Sequence, residues 1–259
     1  HCAYAMKMLC AGKHVLVEKS GAANEREFQQ MVDFAKKRGL VVLEAIRIAF
    51  NPDLELIRQS LGKLGKIRRA IFTCGAYSSR YDNFKRGIIE NAFRPEMCNG
   101  ALMDLGVYAV NIMVDLFGAP QKVNADAIRL ENGLDGVLTA TCTYPGMLAT
   151  VFTSKVADSS GLSEIQGEEG LMRIENCSTP SSATITYNTR RSGQEKSEVL
   201  PLLAVPFGED MKYELQVFLD LIAAGGEGMD RYNNRTLCSL RVMDEIRAQC
   251  GMVFPNDKV

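Results

Sequence analysis

The sequence predicts an α/β fold: an incomplete doubly wound unit, followed by an α+β region with a large, mostly antiparallel open sheet. Three observations carry this. Residues 1–46 run helix, strand, helix, strand with short connections, the order of a doubly wound unit. Residues 137–144 and 183–188 alternate apolar and polar side chains, as strands with one buried and one open face do. Between them, residues 101–117 form the most apolar helix of the chain.

Each element has a local cause. Residues 2–11 read as the end of an amphipathic helix, closed by Gly12. His14 to Glu18 is a short apolar run ending in charge, which suits a parallel strand buried on both faces. Asn24 with Glu27 forms a helix N-terminus with its capping partner, and Phe28, Met31, Val32 and Ala35 follow at helical spacing up to Gly39. Leu40 to Leu43 is the second strand. A unit of these elements alone buries too little surface to stand by itself, so residues 1–46 read as the second half of a larger domain. The chain opens on His1 directly ahead of a helical pattern, and the expectation is a processed chain or one that lacks an N-terminal segment.

Beyond Pro52 the pattern changes. Leu54, Ile57, Leu61 and Leu64 predict a helix, and Lys66 to Cys74 a strand. A polar, aromatic loop spans residues 77–95, and the apolar helix 101–117 stops at Gly118 and Pro120. Leu138, Ala140, Cys142 and Tyr144 alternate with threonines, which favour an open strand face. Ala183, Ile185 and Tyr187 repeat that pattern. Met211, Leu215, Phe218 and Ile222 mark one further helix, and residues from about Thr236 to Cys250 the last. The expected organisation is residues 1–46 as one unit, 47–235 as the sheet domain and 236–259 as a terminal helix and tail.

Composition narrows the functions. The 259 residues carry 30 basic and 31 acidic side chains without a basic run, so no nucleic-acid partner is expected. No stretch reads as a membrane span and no charged-then-apolar leader opens the chain. The eight cysteines are scattered without a C-x-x-C, and His1 and His14 are the only histidines. That predicts free thiols in a reducing cytoplasm and no metal centre.

Three groups of residues could carry chemistry. Glu18, Lys19 and Ser20 lie at the carboxyl end of a buried strand, where open α/β sheets bind ligands; a solvated strand-to-loop junction reads the same way. Asp104, Tyr108, Asn111 and Asp115 recur at helical spacing within 101–117 and make a polar stripe that faces either solvent or a cleft. In a cleft, Tyr108 is the useful member: a phenol near 10, lowered by a neighbouring lysine, becomes a general base. Arg80, Arg86 and Arg94 in the preceding loop hold either a substrate oxygen or surface ion pairs. No G-x-G-x-x-G turn, the phosphate cradle of a dinucleotide site, occurs anywhere in the sequence.

The segment AGKHVLVEKS resembles the AGKHVL-x-EKP signature of the glucose–fructose oxidoreductase / inositol dehydrogenase / rhizopine catabolism (Gfo/Idh/MocA) family, and NGALMDLGVYAVN resembles its GGALLDIGVY segment. EAIRIAFNP and the last helix, with Leu240, Met243, Ile246 and Gly251, are similar to further family segments, so the match runs over essentially the whole chain. Tyr108, where many members carry histidine, resembles the dihydrodiol dehydrogenase and sugar 1-dehydrogenase branch.

The resemblance implies a Rossmann domain followed by an α/β domain on a large sheet, transferring hydride between NAD or NADP and the CH–OH group of a sugar or cyclic diol. It assigns Lys19, Asp104 and Tyr108 to catalysis. Glu18 and Lys19 lie at the nicotinamide end, and Arg94 and Asn111 toward the substrate. Tyr108 would take the hydroxyl proton, Lys19 would lower its pKa, and Asp104 would help place the substrate. The open face of the sheet implies a homodimer or higher homo-oligomer.

Three departures set further expectations. Ser20 replaces the family's proline, where a cis peptide costs roughly 2–3 kcal/mol more, so the Lys19 loop is expected to differ. Asn99 replaces a glycine and is expected to tighten the approach to Asp104. The glycine-rich first βαβ unit is expected ahead of His1, about 60–80 residues or one mononucleotide half, so these residues alone should bind dinucleotide weakly or not at all. The competing reading is a non-catalytic, dimerising or sugar-binding member of the family. A hydrolase or lyase lacks a histidine-based nucleophile.

Overall fold

Valines and leucines with no polar face make β1 (Val15–Glu18) and β2 (Val42–Ala45), which pair in parallel with Glu18 opposite Ala45. Parallel strands require a crossover, supplied here by α2 (Glu25–Lys37), while α1 (Cys2–Cys10) precedes β1. The Asn24 side chain accepts the Glu27 N–H at 2.9 Å, and the Glu27 carboxylate returns to the Ala23 N–H at 3.2 Å. Leu9, Phe28, Met31, Val32 and Val42 form a small core with Leu237 and Leu240 from the far end of the chain. The computed structural model describes residues 1–188, 196–206 and 208–258.

A tight turn, Arg47–Phe50, leads from β2 into α3 (Pro52–Ser60), whose N-cap Asn51 accepts the Asp53 N–H at 2.9 Å. The helix expected to reach Leu64 ends at Ser60 and tightens into a 3₁₀ turn, Leu61–Leu64. The second domain is then organised around one sheet. Its strands are β3 (Ile67–Gly75), β4 (Lys122–Arg129), β5 (Asp135–Tyr144), β6 (Met147–Ser154), β7 (Leu162–Gly167), β8 (Gly170–Glu175), β9 (Ser182–Tyr187) and β10 (Ser197–Val199). Their order is β10-β9-β8-β7-β3-β6-β5-β4, antiparallel throughout except that β3 and β6 are parallel. The parallel pair sets Cys74 opposite Thr153 and Gly75 opposite Ser154, so both strands finish at the same end of the sheet. The expected alternation holds: Leu138, Ala140 and Cys142 are fully buried, and Thr139 is exposed.

The 77–95 loop contains a short helix, α4 (Tyr81–Lys85). The apolar helix begins as a π-type turn, Leu102–Gly106, and continues as α5 (Val107–Phe117). It lies between the sheet and the last helix, α7 (Met229–Gln249). The segment Pro95–Phe117 is in fact long and apolar enough to cross a membrane, contrary to expectation. Two-thirds of it is buried inside the fold, so its apolarity is that of a core helix packed on several sides. α7 starts at Met229, ahead of the expected boundary at 236. It joins both cores, Leu237 and Leu240 in the smaller, Val242, Met243 and Ile246 in the larger. α6 (Met211–Ala223) rests on the Arg47–Phe50 turn through a narrow strip, which leaves Met211 and Leu215 of its expected buried face half exposed.

Candidate active site

The site assembles where the β1 loop meets the start of the apolar helix. At the end of β1, Glu18 is exposed and Lys19 turns inward. The Lys19–Ser20 peptide is cis although no proline follows. The Ser20 hydroxyl donates to the Met103 carbonyl at 2.8 Å, a bond that proline could not make. The next residue is held as well. The Gly21 N–H donates to the buried Glu44 carboxylate at 2.9 Å, whose other oxygen accepts the Thr236 hydroxyl at 2.9 Å. A Cβ at Gly21 would sit 2.9 Å from the Phe28 ring, so the loop approaches α2 as only glycine allows. Burial pushes the Glu44 carboxyl up, against those two hydrogen bonds.

The helix supplies the opposite wall. Asp135, buried on β5, accepts the Leu102 N–H at 2.6 Å and so caps the helix from a neighbouring strand. Burial pushes its carboxyl up to about 6. Gly100 has φ +132°, and a Cβ there would stand 1.9 Å from an Asp135 carboxylate oxygen. The π turn that follows carries Asp104. Lys19 Nζ donates to Asp104 Oδ1 at 2.6 Å and to the Asp104 main-chain carbonyl at 2.7 Å. Lys155 Nζ lies 3.0 Å from Asp104 Oδ2 and donates to the Ala92 carbonyl at 2.8 Å. Burial raises the Asp104 carboxyl, but Lys19 and then Lys155 outweigh it and hold the group below the usual carboxylate range.

Lys19 Nζ also sits 5.4 Å from the centre of the Tyr108 ring. The expected lowering of that phenol is not found. Burial pushes it up to about 12; Arg47 pulls it down, and Cys74, Asp104 and Glu18 add to the rise. The cause is plain: the charge of Lys19 is met by Asp104, and desolvation of Tyr108 dominates. Two further titratable groups are shifted nearby, Cys74 and Glu214. The Cys74 thiol is lowered by a hydrogen bond from Cys177, against burial and with help from Lys19. The Glu214 carboxyl is pushed up to about 7 by burial and by Glu18. Cys74 and Cys177 also line a cavity of about 610 Å³ with Leu105, Glu175 and Asn176. Lys19 itself lines a second groove, of about 400 Å³, with His1, Ala22, Asn99 and Asp104.

The polar stripe therefore divides. Asp104 and Tyr108 face Lys19, but Asn111 is fully buried against α7, its amide 3.5 Å from the Ser239 hydroxyl. Asp115 is paired with Arg58 and, at 3.2 Å, with Arg235. Tyr108, Asn111 and Asp115 belong to the same regular helix, so what changes along it is the partner: Lys19 at Tyr108, Ser239 of α7 at Asn111, and Arg58 with Arg235 at Asp115. Asn111, expected toward the substrate, is thus held against α7 and is not bonded to Lys19, Asp104 or Tyr108 among the described residues. Arg94 is exposed and donates to the Ile89 carbonyl at 3.4 Å, Arg80 pairs with Glu90, and neither is bonded to Lys19, Asp104 or Tyr108 among the described residues. Asn99 lines the groove and donates to the Asn91 carbonyl at 2.6 Å. Lys155, Cys74 and Arg47 escaped the sequence reading. Each stands at or just past the carboxyl end of a strand with a parallel neighbour, the signal that had picked out Lys19.

Residues 56–173 match the family model described as GFO/IDH/MocA C-terminal domain. The chain is 38% identical over 249 residues to scyllo-inositol 2-dehydrogenase (NADP(+)) IolU of Bacillus subtilis strain 168, covering 95% of this chain and 74% of that protein. It is 30% identical over 273 residues to trans-1,2-dihydrobenzene-1,2-diol dehydrogenase of Macaca fuscata fuscata, covering 100% and 76%. Among solved structures, KijD10, a 3-ketoreductase from Actinomadura kijaniata in complex with NADP and TDP-benzene, superposes with a TM-score of 0.82 at 19% identity, over 96% of this chain and 75% of that one. That similarity is one of fold.

Proposed function

The chain belongs to the Gfo/Idh/MocA family, and on that premise we propose that Lys19, Asp104 and Tyr108 form its proton-transfer site. The activity is that of an NAD(P)-dependent oxidoreductase acting on a CH–OH group of a sugar or cyclic diol. The observation that carries the site is the convergence of one ammonium, Lys19, on both Asp104 and the Tyr108 ring across the junction of the two lobes.

The residues fit the nicotinamide end of such a cofactor. β1 and β2 finish side by side, and Glu18, Lys19 and Arg47 collect at their carboxyl ends. No glycine-rich turn occurs in the 259 residues, so none of them is assigned to the pyrophosphate. When bound, the nicotinamide supplies the acceptor or donor of hydride. Lys19 has three N–H donors and spends two on Asp104, so the third serves a substrate oxygen. Tyr108 gives its proton to a carbonyl oxygen in reduction and takes one from a hydroxyl in oxidation. A phenol raised to about 12 is protonated through neutrality, the form that reduction uses. Oxidation requires the phenolate to form beside Lys19.

The sheet of the second domain leaves Ile128, Leu148 and Val199 exposed, and we assign this open face to a homodimer or larger homo-oligomer. For the division into a dinucleotide lobe (1–46) and a substrate lobe (47–235), the support is the smaller core, which gathers Leu9, Val17, Phe28 and Val42; Val41, Leu43 and Ile46 join the larger core, so β2 and α7 couple the two. The unpaired state of all eight cysteines supports a cytoplasmic setting. The deciding experiment is a panel of inositols, aldoses and cyclic diols against NADP⁺ and NAD⁺ with the native protein. Oxidation of at least one polyol with either nicotinamide is expected; no turnover across the panel, nor of the matching ketones with reduced nicotinamide, removes the assignment.

A further inference from the structure

Lys155 is 2% exposed, yet it ends in a charge. A buried ammonium is stable only when its donors are met. Here they are met by the Ala92 carbonyl at 2.8 Å and Asp104 Oδ2 at 3.0 Å, with the Phe93 ring centre 4.8 Å away. The backbone is fixed too: the Lys155 N–H donates to the Gly136 carbonyl at 2.9 Å, and its carbonyl accepts the Ser78 N–H at 2.9 Å. A lysine ammonium is a point charge that needs only one carboxylate oxygen, so one aspartate can hold two lysines. Asp104 gives one oxygen to each lysine, and its side chain keeps 35% of its surface open. Lys155 comes from the sheet and Lys19 from the β1 loop, so the carboxylate is stretched between the two lobes.

We propose that Lys155 is a positioning residue: it pins Asp104 Oδ2 so that Oδ1 and the Asp104 carbonyl seat Lys19 with one N–H left for substrate. The proposal deepens the proton-transfer reading and rests on it. Without Lys155 the carboxylate is free to turn both oxygens toward Lys19 and draw the ammonium away from Tyr108. The second lysine acts on catalysis only through Asp104 and makes no contact with substrate.

The test is a double-mutant cycle in the native protein with one readout independent of turnover. Lys155→Met is expected to lower kcat about tenfold or more while KM moves less than about threefold, and Lys155→Arg to restore part of the loss. In an Asp104→Asn background, Lys155→Met should cost almost nothing further, because the shared route is already cut. Carbon-13 NMR of labelled aspartate in the 259-residue chain should show the Asp104 carboxyl titrating higher in Lys155→Met than in wild type, and close to wild type in Lys155→Arg. An equal loss of kcat in both backgrounds, or an unmoved Asp104 titration in a folded variant, overturns the proposal. Should Lys155→Met not fold, Lys155→Arg decides: a wild-type kcat with the Asp104 titration clearly displaced overturns the proposal. A wild-type protein that oxidises no polyol sinks the dehydrogenase reading, whereas the Asp104 titration still decides whether Lys155 sets that carboxylate.

Discussion

Lys19 and Asp104 are joined twice, once through the side chain at 2.6 Å and once through the main-chain carbonyl at 2.7 Å. The second bond fixes where the ammonium lies relative to the helix axis, not merely which charge it meets. Lys19→Met removes both bonds and leaves Asp104 with Lys155 alone. The expected result is a loss of kcat on the order of 10²-fold, with the fold kept, measured by steady-state turnover and circular dichroism. Wild-type turnover in that variant takes Lys19 out of the mechanism.

Tyr108→Phe deletes the proton donor while preserving the ring under Lys19. The expected loss of kcat is again about 10²-fold. The pH dependence discriminates further. A phenol raised to about 12 stays protonated through neutrality, so kcat/KM for reduction should run flat with pH until the far alkaline range. For oxidation it should climb with pH, because deprotonated Tyr108 is then the reactive form. Profiles of the two directions with the same sloping limb would place the proton elsewhere.

Much of this was legible in the sequence, for physical reasons that can be named. Alternation over 137–144 and the parallel apolar runs at 15–18 and 42–45 follow from burial, which period-two and continuous patterns report directly. The strand-end position made Lys19 a candidate that a solvated junction would explain equally well, and the resemblance of AGKHVLVEKS to the family signature is what singled it out. The burial of Asn111 was not legible because Ser239, on the α7 that packs on it, lies 128 residues further along the chain. Lys155 was passed over because it follows β6, whose one parallel neighbour, β3, is distant in sequence; only the pairing shows that both strands end at the site.

Asp135 reaches from β5 to cap the Leu102 N–H, and the space beside it admits only glycine at position 100. Asp135→Ala leaves a buried donor unmet and should cost about 1–3 kcal/mol of stability by urea unfolding. Gly100→Ala should cost at least as much, since its φ of +132° disfavours alanine and its Cβ meets the carboxylate. Combining the two should cost less than their sum, because removing the carboxylate relieves the clash. Strict additivity would show that the two residues do not share one steric contact.

Glu214 links stability to pH near neutrality. Burial and Glu18 raise its carboxyl from 4.5 to about 7, so the folded chain keeps a proton that the unfolded chain gives up. Below about 4.5 both states are protonated and the contribution is complete; it is lost as pH rises through about 7. Asp135, raised to about 6, slopes the same way, and the quantity to read is therefore the difference between wild type and Glu214→Gln. Wild type should lose a few degrees of Tm relative to the glutamine variant as pH rises across that window. Curves that stay parallel would mean that Glu214 is already ionised in the folded chain, with Arg47 outweighing burial and Glu18.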